Sequence, residues 1–297
     1  MRFQFIEAHR DDYPVRRLCD ALKVAPSGYY AWRHRPPSAR EMANQELTEK
    51  IEAVFEESKE TYGSPRVHRV LQRQGETCSR GRIERLMRLR GLKAKQTKRF
   101  RVTTKRNRAH PVAPNLLLRN FEAHQPNEKW LADITYISTQ EGWLYLAAVL
   151  DLYSRNIVGW AMSQRMTEDL TLSALGMALK RRQPGPGLIH HSDQGSQYTS
   201  QAYQALLEDH GIQASMNGAG SWYDNAPMES FFGTLKSECV HHVTYHTRDE
   251  ARVDLFSYIE VFYNRRRIHS ALDYLSPQEY EHIYFQQRVG LTPCPQN

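Results

Sequence analysis

Apolar positions recur at helical spacing through the first third of the chain and then switch to the two-residue alternation of strands. Leu47, Ile51, Val54 and Phe55 form an i, i+4, i+7, i+8 stripe; Val67, Val70 and Leu71 form a second, and Ile83, Leu86 and Met87 a third. Gln74-Gly75-Glu76-Thr77-Cys78 reads as the turn before the third helix, and Ser79 as its N-cap. Upstream, Val15, Leu18 and Leu22 and then Tyr29, Tyr30 and Trp32 mark two shorter helices, with Pro26-Ser27-Gly28 read as the turn between them. That outline suits a DNA-binding motif and equally any small helical hairpin. Arg35-Pro36-Pro37-Ser38 then reads as a linker.

At Asn127 the texture changes. WLADITYIST (130–139), the turn Gln140-Glu141-Gly142 and WLYLAAVLDLYS (143–154) predict a hairpin whose strands are buried on both faces, and NIVGWAM (156–162) a third strand. Leu170, Ala174, Leu175, Ala178 and Leu179 predict a helix over 167–182, which Pro184-Gly185-Pro186-Gly187 ends before the strand leading to Asp193. Strand, crossover helix and strand imply a sheet with a parallel part. A helix over 199–210 (Tyr203, Leu206, Leu207) and a short strand at Ile212 to Met216 follow. In 217–238 a glycine-bearing loop leads to Asn225 or Ala226 as cap and to Pro227 at the favoured first helical position. Met228, Phe231, Phe232, Leu235 and Cys239 form that helix's core stripe.

At 297 residues the chain is long enough for two or three domains. Cys19, Cys78, Cys239 and Cys294 lie far apart with no metal-ligand spacing, so neither a disulfide framework nor a zinc module is expected, and a reducing compartment fits best. No apolar run approaches the roughly 20 residues that span a bilayer, and MRFQFIEAHRDD becomes charged too soon for a secretory signal. A cytoplasmic protein with no membrane partner is the expectation. Charge changes the picture once divided. Residues 1–120 carry 27 Lys+Arg against 13 Asp+Glu, a balance of +14, and residues 121–297 carry 13 against 20, a balance of −7, which together give the net +7. A basic front implies a polyanionic partner, and an acidic back is the natural home for carboxylate chemistry.

Within the front, SRGRIERLMRLRGL carries Arg80, Arg82, Arg85, Arg88 and Arg90 around its apolar stripe, as a DNA-reading helix would and as a solvated basic helix also would. KAKQTKRFRVTTKRNR (93–108) follows. Within the back, three acids stand out. Asp133 lies inside a strand, with Leu131, Thr135 and Ile137 on its own face, where a charge needs a partner, a proton or a cation. Asp193 ends a strand in HHSDQGSQYTS, where an ordinary turn role is the alternative, and Glu229 opens a helix, where pairing with the helix dipole is the alternative. Three carboxylates suit hard divalent cations and two-ion phosphoryl chemistry. His190 and His191 are adjacent on a strand, point to opposite faces and cannot share a zinc site. Lys236, two turns beyond Glu229, suits either an ion pair with Glu229 or Glu238, or a DNA phosphate brought close by the bare Gly233.

These motifs carry a family resemblance. W-x-x-D-I-T-Y-I at 130–137, H-S-D-Q-G-S-Q-Y-T-S at 191–200, D-N-A-x-x-E-S-F-F at 224–232 with Lys236, and Y-N-x-x-R-x-H-x-x-L at 263–272 resemble the catalytic subunit, the second open reading frame product, of bacterial transposases of the third insertion-sequence family. YGSPRVHRVL with RLMRLRGLKA resembles the helix-turn-helix preceding the core in such proteins. The resemblance spans nearly the whole chain. It implies an α/β, ribonuclease H-like mixed five-stranded sheet with flanking helices, preceded by small all-α helix-turn-helix modules. It implies Asp133, Asp193 and Glu229 as catalytic Mg²⁺ ligands, with Mn²⁺ as a substitute, and cutting and joining of insertion-sequence ends by hydrolysis and strand transfer. The implied boundaries are 1–42 for the helical hairpin, 43–95 for the helix-turn-helix, 96–125 for a basic linker, 126–285 for the integrase core and 286–297 for a tail. Implied partners are double-stranded DNA (terminal inverted repeats and target), further copies of the chain on DNA, and a protein or fusion from an upstream frame; bound to DNA, the chain would be nucleoid-associated. No integrase-type zinc-binding His and Cys set stands at the front. A non-catalytic DNA binder is the rival class. Tyr198 or Ser192 as a recombinase nucleophile lacks the flanking basic residues that such chemistry uses.

Overall fold

The computed structural model describes residues 1–95, 113–217 and 225–289. Most of the expected basic linker (96–112), the loop with Asp224 at 218–224 and the end of the expected tail (290–297) lie outside the described residues. The chain divides into two compact units, Met1–Ala53 and Val54–Asn297.

The first unit holds α1 (Arg2–His9), α2 (Val15–Ala21), α3 (Pro26–His34) and most of α4 (Ala39–Glu57). Ile6, Cys19 and Tyr29 are fully buried, with Val15, Leu18, Leu22 and Trp32 packed around them. Pro26-Ser27-Gly28 is not the turn expected from the sequence. It forms the first turn of α3, because proline's fixed φ and missing N–H suit a helix opening. The reversal falls at residues 22–25 instead, where Lys23 takes a φ of 52°.

In the second unit, α5 (Ser64–Arg73) and α6 (Arg80–Leu89) bury Val67, Leu71, Ile83, Leu86 and Met87 of the expected stripes, while Val70 is half-buried. Ser79 caps α6 as expected, its hydroxyl accepting from the Arg82 N–H. The sheet contains β1 (Lys129–Thr139), β2 (Gly142–Asp151), β3 (Ile157–Ser163), β4 (Ile189–Ser192) and β5 (Gln213–Met216), in the order β3-β2-β1-β4-β5. The first three strands form an antiparallel meander, and β4 and β5 add in parallel through α7 (Glu168–Arg182) and α8 (Gln201–Asp209). This is the mixed five-stranded sheet the sequence led us to expect. Burial of the hairpin on both faces is confined to the half away from its turn, since Tyr136, Ser138 and Trp143 are exposed.

Trp130 and Ala132 of β1, Ala147 and Val149 of β2 and Val158 of β3 form one core with Leu170, Ala174, Leu175 and Ala178 of α7 and Tyr203 and Leu207 of α8. Leu131, Leu144, Leu146 and Leu150 are buried on the alternate face. α9 (Ala226–Glu238) lies against β1, and α10 (Arg248–Phe256) against β1 and β2. The last helix, α11 (Pro277–Val289), is anchored by Glu281, whose carboxylate accepts both Arg182 guanidinium N–H groups at 2.6 and 2.8 Å and the Ser154 hydroxyl.

Contact between α7 and β3 depends on Gly159. A Cβ there would stand 2.2 Å from the Ala174 carbonyl oxygen and 2.7 Å from Ala178 Cβ, both part of the facing helix. Gly159→Ala therefore costs about 3 kcal/mol, read as a lower denaturant midpoint at unchanged slope. A midpoint equal to that of the wild type would show that α7 does not pack this closely.

Candidate active site

The site forms where one strand outruns its neighbour. β1 pairs with β4 only through Lys129, Trp130 and Leu131. At the next residue the Ala132 carbonyl accepts the Asn225 side-chain N–H at 3.4 Å, which ties the start of α9 to the uncovered edge. Asp133 follows directly on β1, Asp193 follows the last residue of β4, and Glu229 sits in the first turn of α9. Each position has a local cause. β4 stops at Ser192 because the chain turns on Asp193, whose Oδ1 accepts the Gly195 N–H at 2.9 Å. A Cβ on Gly195 would stand 2.9 Å from that same oxygen, so a bare residue is needed for the turn to close. Pro227 and the buried Met228, Phe231, Phe232 and Leu235 seat α9.

The acids act on one another. Burial pushes Asp133 up to about 8, with further upward pressure from Asp193 and Glu229, against the pull of the Ile134 N–H and of Lys236. Burial also raises Asp193 and Glu229, and the Gly195 N–H opposes it at Asp193. Asp193 and Glu229 are thus each within electrostatic reach of Asp133. Among the described residues, though, no three such side chains are gathered tightly enough to hold a metal as they stand. Glu229 is exposed, and like charges repel. The donors are all carboxylate oxygens, which fits a hard divalent cation.

Lys236 is buried, its ammonium 4.8 Å over the exposed Tyr136 ring. Burial lowers its pKa, while Asp133 raises it. Glu238, one of the acids considered as its partner, is engaged elsewhere: Arg267 donates to both its oxygens at 2.7 and 2.8 Å, and the Tyr258 hydroxyl donates at 2.7 Å. His190 and His191 diverge as expected. His190 meets the Tyr203 hydroxyl at 3.1 Å, and His191 lies between Ser215 and Asn217. Arg80, Arg85 and Arg88 are exposed on α6 and Arg82 is half-buried.

Two groups at the site were not legible as such in the sequence. Asn225, expected with Ala226 as a possible helix cap, stands at the N-cap of α9 but makes no side-chain cap bond: its amide serves β1, and its Oδ1 is buried with no hydrogen-bond partner among the described residues. The Tyr198 hydroxyl is likewise buried without a partner among the described residues; burial above all, with Tyr203, Asp133 and Asp193 nearby, raises its pKa, which keeps the phenol protonated and unfit as a nucleophile. The Y-N-x-x-R-x-H segment also gains a role. Asn264 pairs its amide with both backbone groups of Ile157 on β3, at 2.9 and 3.0 Å, while Arg267 holds the end of α9 through Glu238.

An integrase core domain model matches residues 123–221, a second integrase core domain model matches 229–285, and an HTH-like domain model matches 42–100. The insertion element IS600 uncharacterized 31 kDa protein of Shigella sonnei is 46% identical over 269 residues, covering 91% of this chain and 99% of that protein. Transposase InsF for insertion sequence IS3A of Escherichia coli strain K12 is 43% identical over 283 residues, covering 95% and 98%. A chain in the cryo-EM structure of a simian T-cell lymphotropic virus intasome aligns over 64% of this chain and 64% of its own length, with a TM-score of 0.48 and 17% identity. Identity along nearly the full length, with the integrase core models lying on the strands and helix that carry the three acids, places this chain in the IS3-family InsF transposases, enzymes of DNA transposition with an integrase core.

Proposed function

We propose that Asp133, Asp193 and Glu229 are the catalytic residues and together hold Mg²⁺, or Mn²⁺ in its place, at the overhanging end of β1. The observation that carries this reading is Asp133 itself: a half-buried strand carboxylate whose charged form is opposed by two further acids. When bound, the cation supplies positive charge to a phosphodiester and to the oxygen attacking it, by water in end cleavage and by a 3′ hydroxyl in strand transfer. Asp133 and Asp193 contribute fixed positions, one on a paired strand and one in a closed turn. Glu229 contributes a carboxylate that can move in once repulsion is relieved. A non-catalytic DNA binder would have no use for such a grouping, which the fold keeps at an electrostatic cost.

DNA contact is assigned to Arg80, Arg82, Arg85 and Arg88 of α6, and a phosphate contact to Lys236. Apart from its chain neighbours and its own helix backbone, no atom of the described residues lies within 4 Å of where a Gly233 Cβ would stand, which supports an open helix face beside the acids. The proposed modules are 1–42, 43–95 as helix-turn-helix, 96–125 as linker, 126–285 as core and 286–297 as tail. Proposed partners are the element's terminal inverted repeats, target DNA, further copies of the chain and a product of an upstream frame, in the cytoplasm at the nucleoid. Among the described residues no helix is long and apolar enough to cross a membrane.

Asp133→Asn, Asp193→Asn and Glu229→Gln are each expected to abolish Mg²⁺-dependent cleavage of terminal-repeat DNA while gel-shift binding persists. Cleavage by the Asp193→Asn protein would remove that residue from the mechanism. Arg85→Ala should lower the slope of log affinity against log salt by about one, and an unchanged slope would mean that Arg85 touches no phosphate.

Stability provides a separate check. Asp133 is raised to about 8 from 3.8, so the folded metal-free protein keeps a proton that the unfolded chain releases, and stability is lost as pH rises across that interval. Asp133→Asn does not titrate and should become more stable than metal-free wild type by on the order of 1–2 kcal/mol at pH 8, after discounting partial exposure. Parallel stability curves across pH would contradict this.

A further inference from the structure

Arginines on the two helices of the helix-turn-helix serve different purposes. On α5, Arg66, Arg69 and Arg73 recur at i, i+3 and i+7 and so share one face. All three meet the C-terminal part of the core. The Arg66 guanidinium lies 4.0 Å from the Glu238 carboxylate and 5.6 Å over the Tyr62 ring. Arg69 lies 5.0 Å over the Tyr274 ring, and Arg73 stands 3.6 Å from Glu279. Just before α5, the buried Tyr62 hydroxyl donates to the Arg266 carbonyl at 3.1 Å and accepts the Ile268 N–H at 2.8 Å, with its ring 6.4 Å from that of Phe262.

These contacts form an unbroken path. α6 is joined to α5 by their shared apolar face and by His68, whose Nε2 lies 2.9 Å from the Cys78 carbonyl oxygen. α5 is joined through Tyr62 and Arg66 to Arg266, Ile268 and the buried Glu238–Arg267 pair. Glu238 closes α9, the helix that opens with Glu229. We infer that Tyr62 and Arg66 are positioning residues that lock the DNA-reading helix α6 to α9, so that the chain measures a fixed distance from the bases it binds to the phosphodiester it cuts. The inference rests on the roles proposed for α6 and for the three acids. The bond network is specific enough for the task, since a tyrosine hydroxyl held by two backbone groups on one segment fixes position, and a planar guanidinium fixes orientation.

The test uses the full chain and DNA carrying the terminal inverted repeats that flank its own reading frame. Cleavage sites are mapped at single-nucleotide resolution for the wild type, Tyr62→Phe, Arg66→Ala and Tyr62→Phe/Arg66→Ala. The double variant should bind the repeat with unchanged affinity but spread its cuts over neighbouring phosphodiesters, with Arg66→Lys intermediate. A second measurement needs no cleavage. Spin labels on Leu89→Cys and Ser230→Cys, both exposed, should give a narrow distance distribution in the otherwise native protein and a broad one with the double substitution. A double variant that melts like the wild type, keeps the narrow distribution and cuts at the single wild-type position overturns the inference. If the wild type fails to cut while the distribution broadens as stated, the catalytic reading falls and the lock remains. If neither the cuts nor the distances respond, the lock falls while the catalytic reading remains.

Discussion

Asp193 and Glu229 lie near enough to Asp133 to oppose its charge, and the fold keeps Asp133 in place against that repulsion. Asp133 sits on a strand paired along its whole length with β2, so it cannot retreat by bending the backbone. Asp193 is held by its own turn, and Glu229 by a helix whose apolar stripe is fully buried. Of the three, only Glu229 is exposed. The rest of the domain supplies the packing that outweighs the repulsion, chiefly the layer of α7 and α8 against β1, β2 and β3.

The other buried acids show what satisfaction looks like. Asp151 at the end of β2 accepts the backbone N–H groups of Asn127 and Tyr153 and the Trp130 indole N–H. Glu281 and Glu238 each take two guanidinium N–H groups and a hydroxyl. Asp133, by contrast, accepts only the Ile134 N–H among the described residues. Asp133, only half-buried, thus differs from the fully buried acids in how few described donors meet it.

Much of this was legible in the sequence, for physical reasons that differ by residue. The helices over 64–89 carry stripes most of whose residues are buried, and a charge inside the apolar run around Asp133 calls for a partner, a proton or a cation. Helix α1 could not be read from a stripe, because Ile6 is the one residue it buries. Pro26 was misread because proline opens helices as readily as it makes turns. Arg267 and Glu238 lie 29 residues apart, and a side-chain pair at that separation leaves no periodic trace. Asn225 was correctly placed at the start of α9 but wrongly employed, since its amide is drawn to the strand edge that only the folded sheet creates.

Asn264 has a consequence of another kind. β3 is an outermost strand of the sheet, and such a strand offers its backbone to any passing extended segment. The Asn264 side chain answers both the N–H and the carbonyl of Ile157, as a neighbouring strand would, and so takes the place at which an intruding chain would begin to pair. At Ile157 the edge is thereby closed to a segment that would pair through its backbone, and the strand meets a side chain where it would otherwise offer a template.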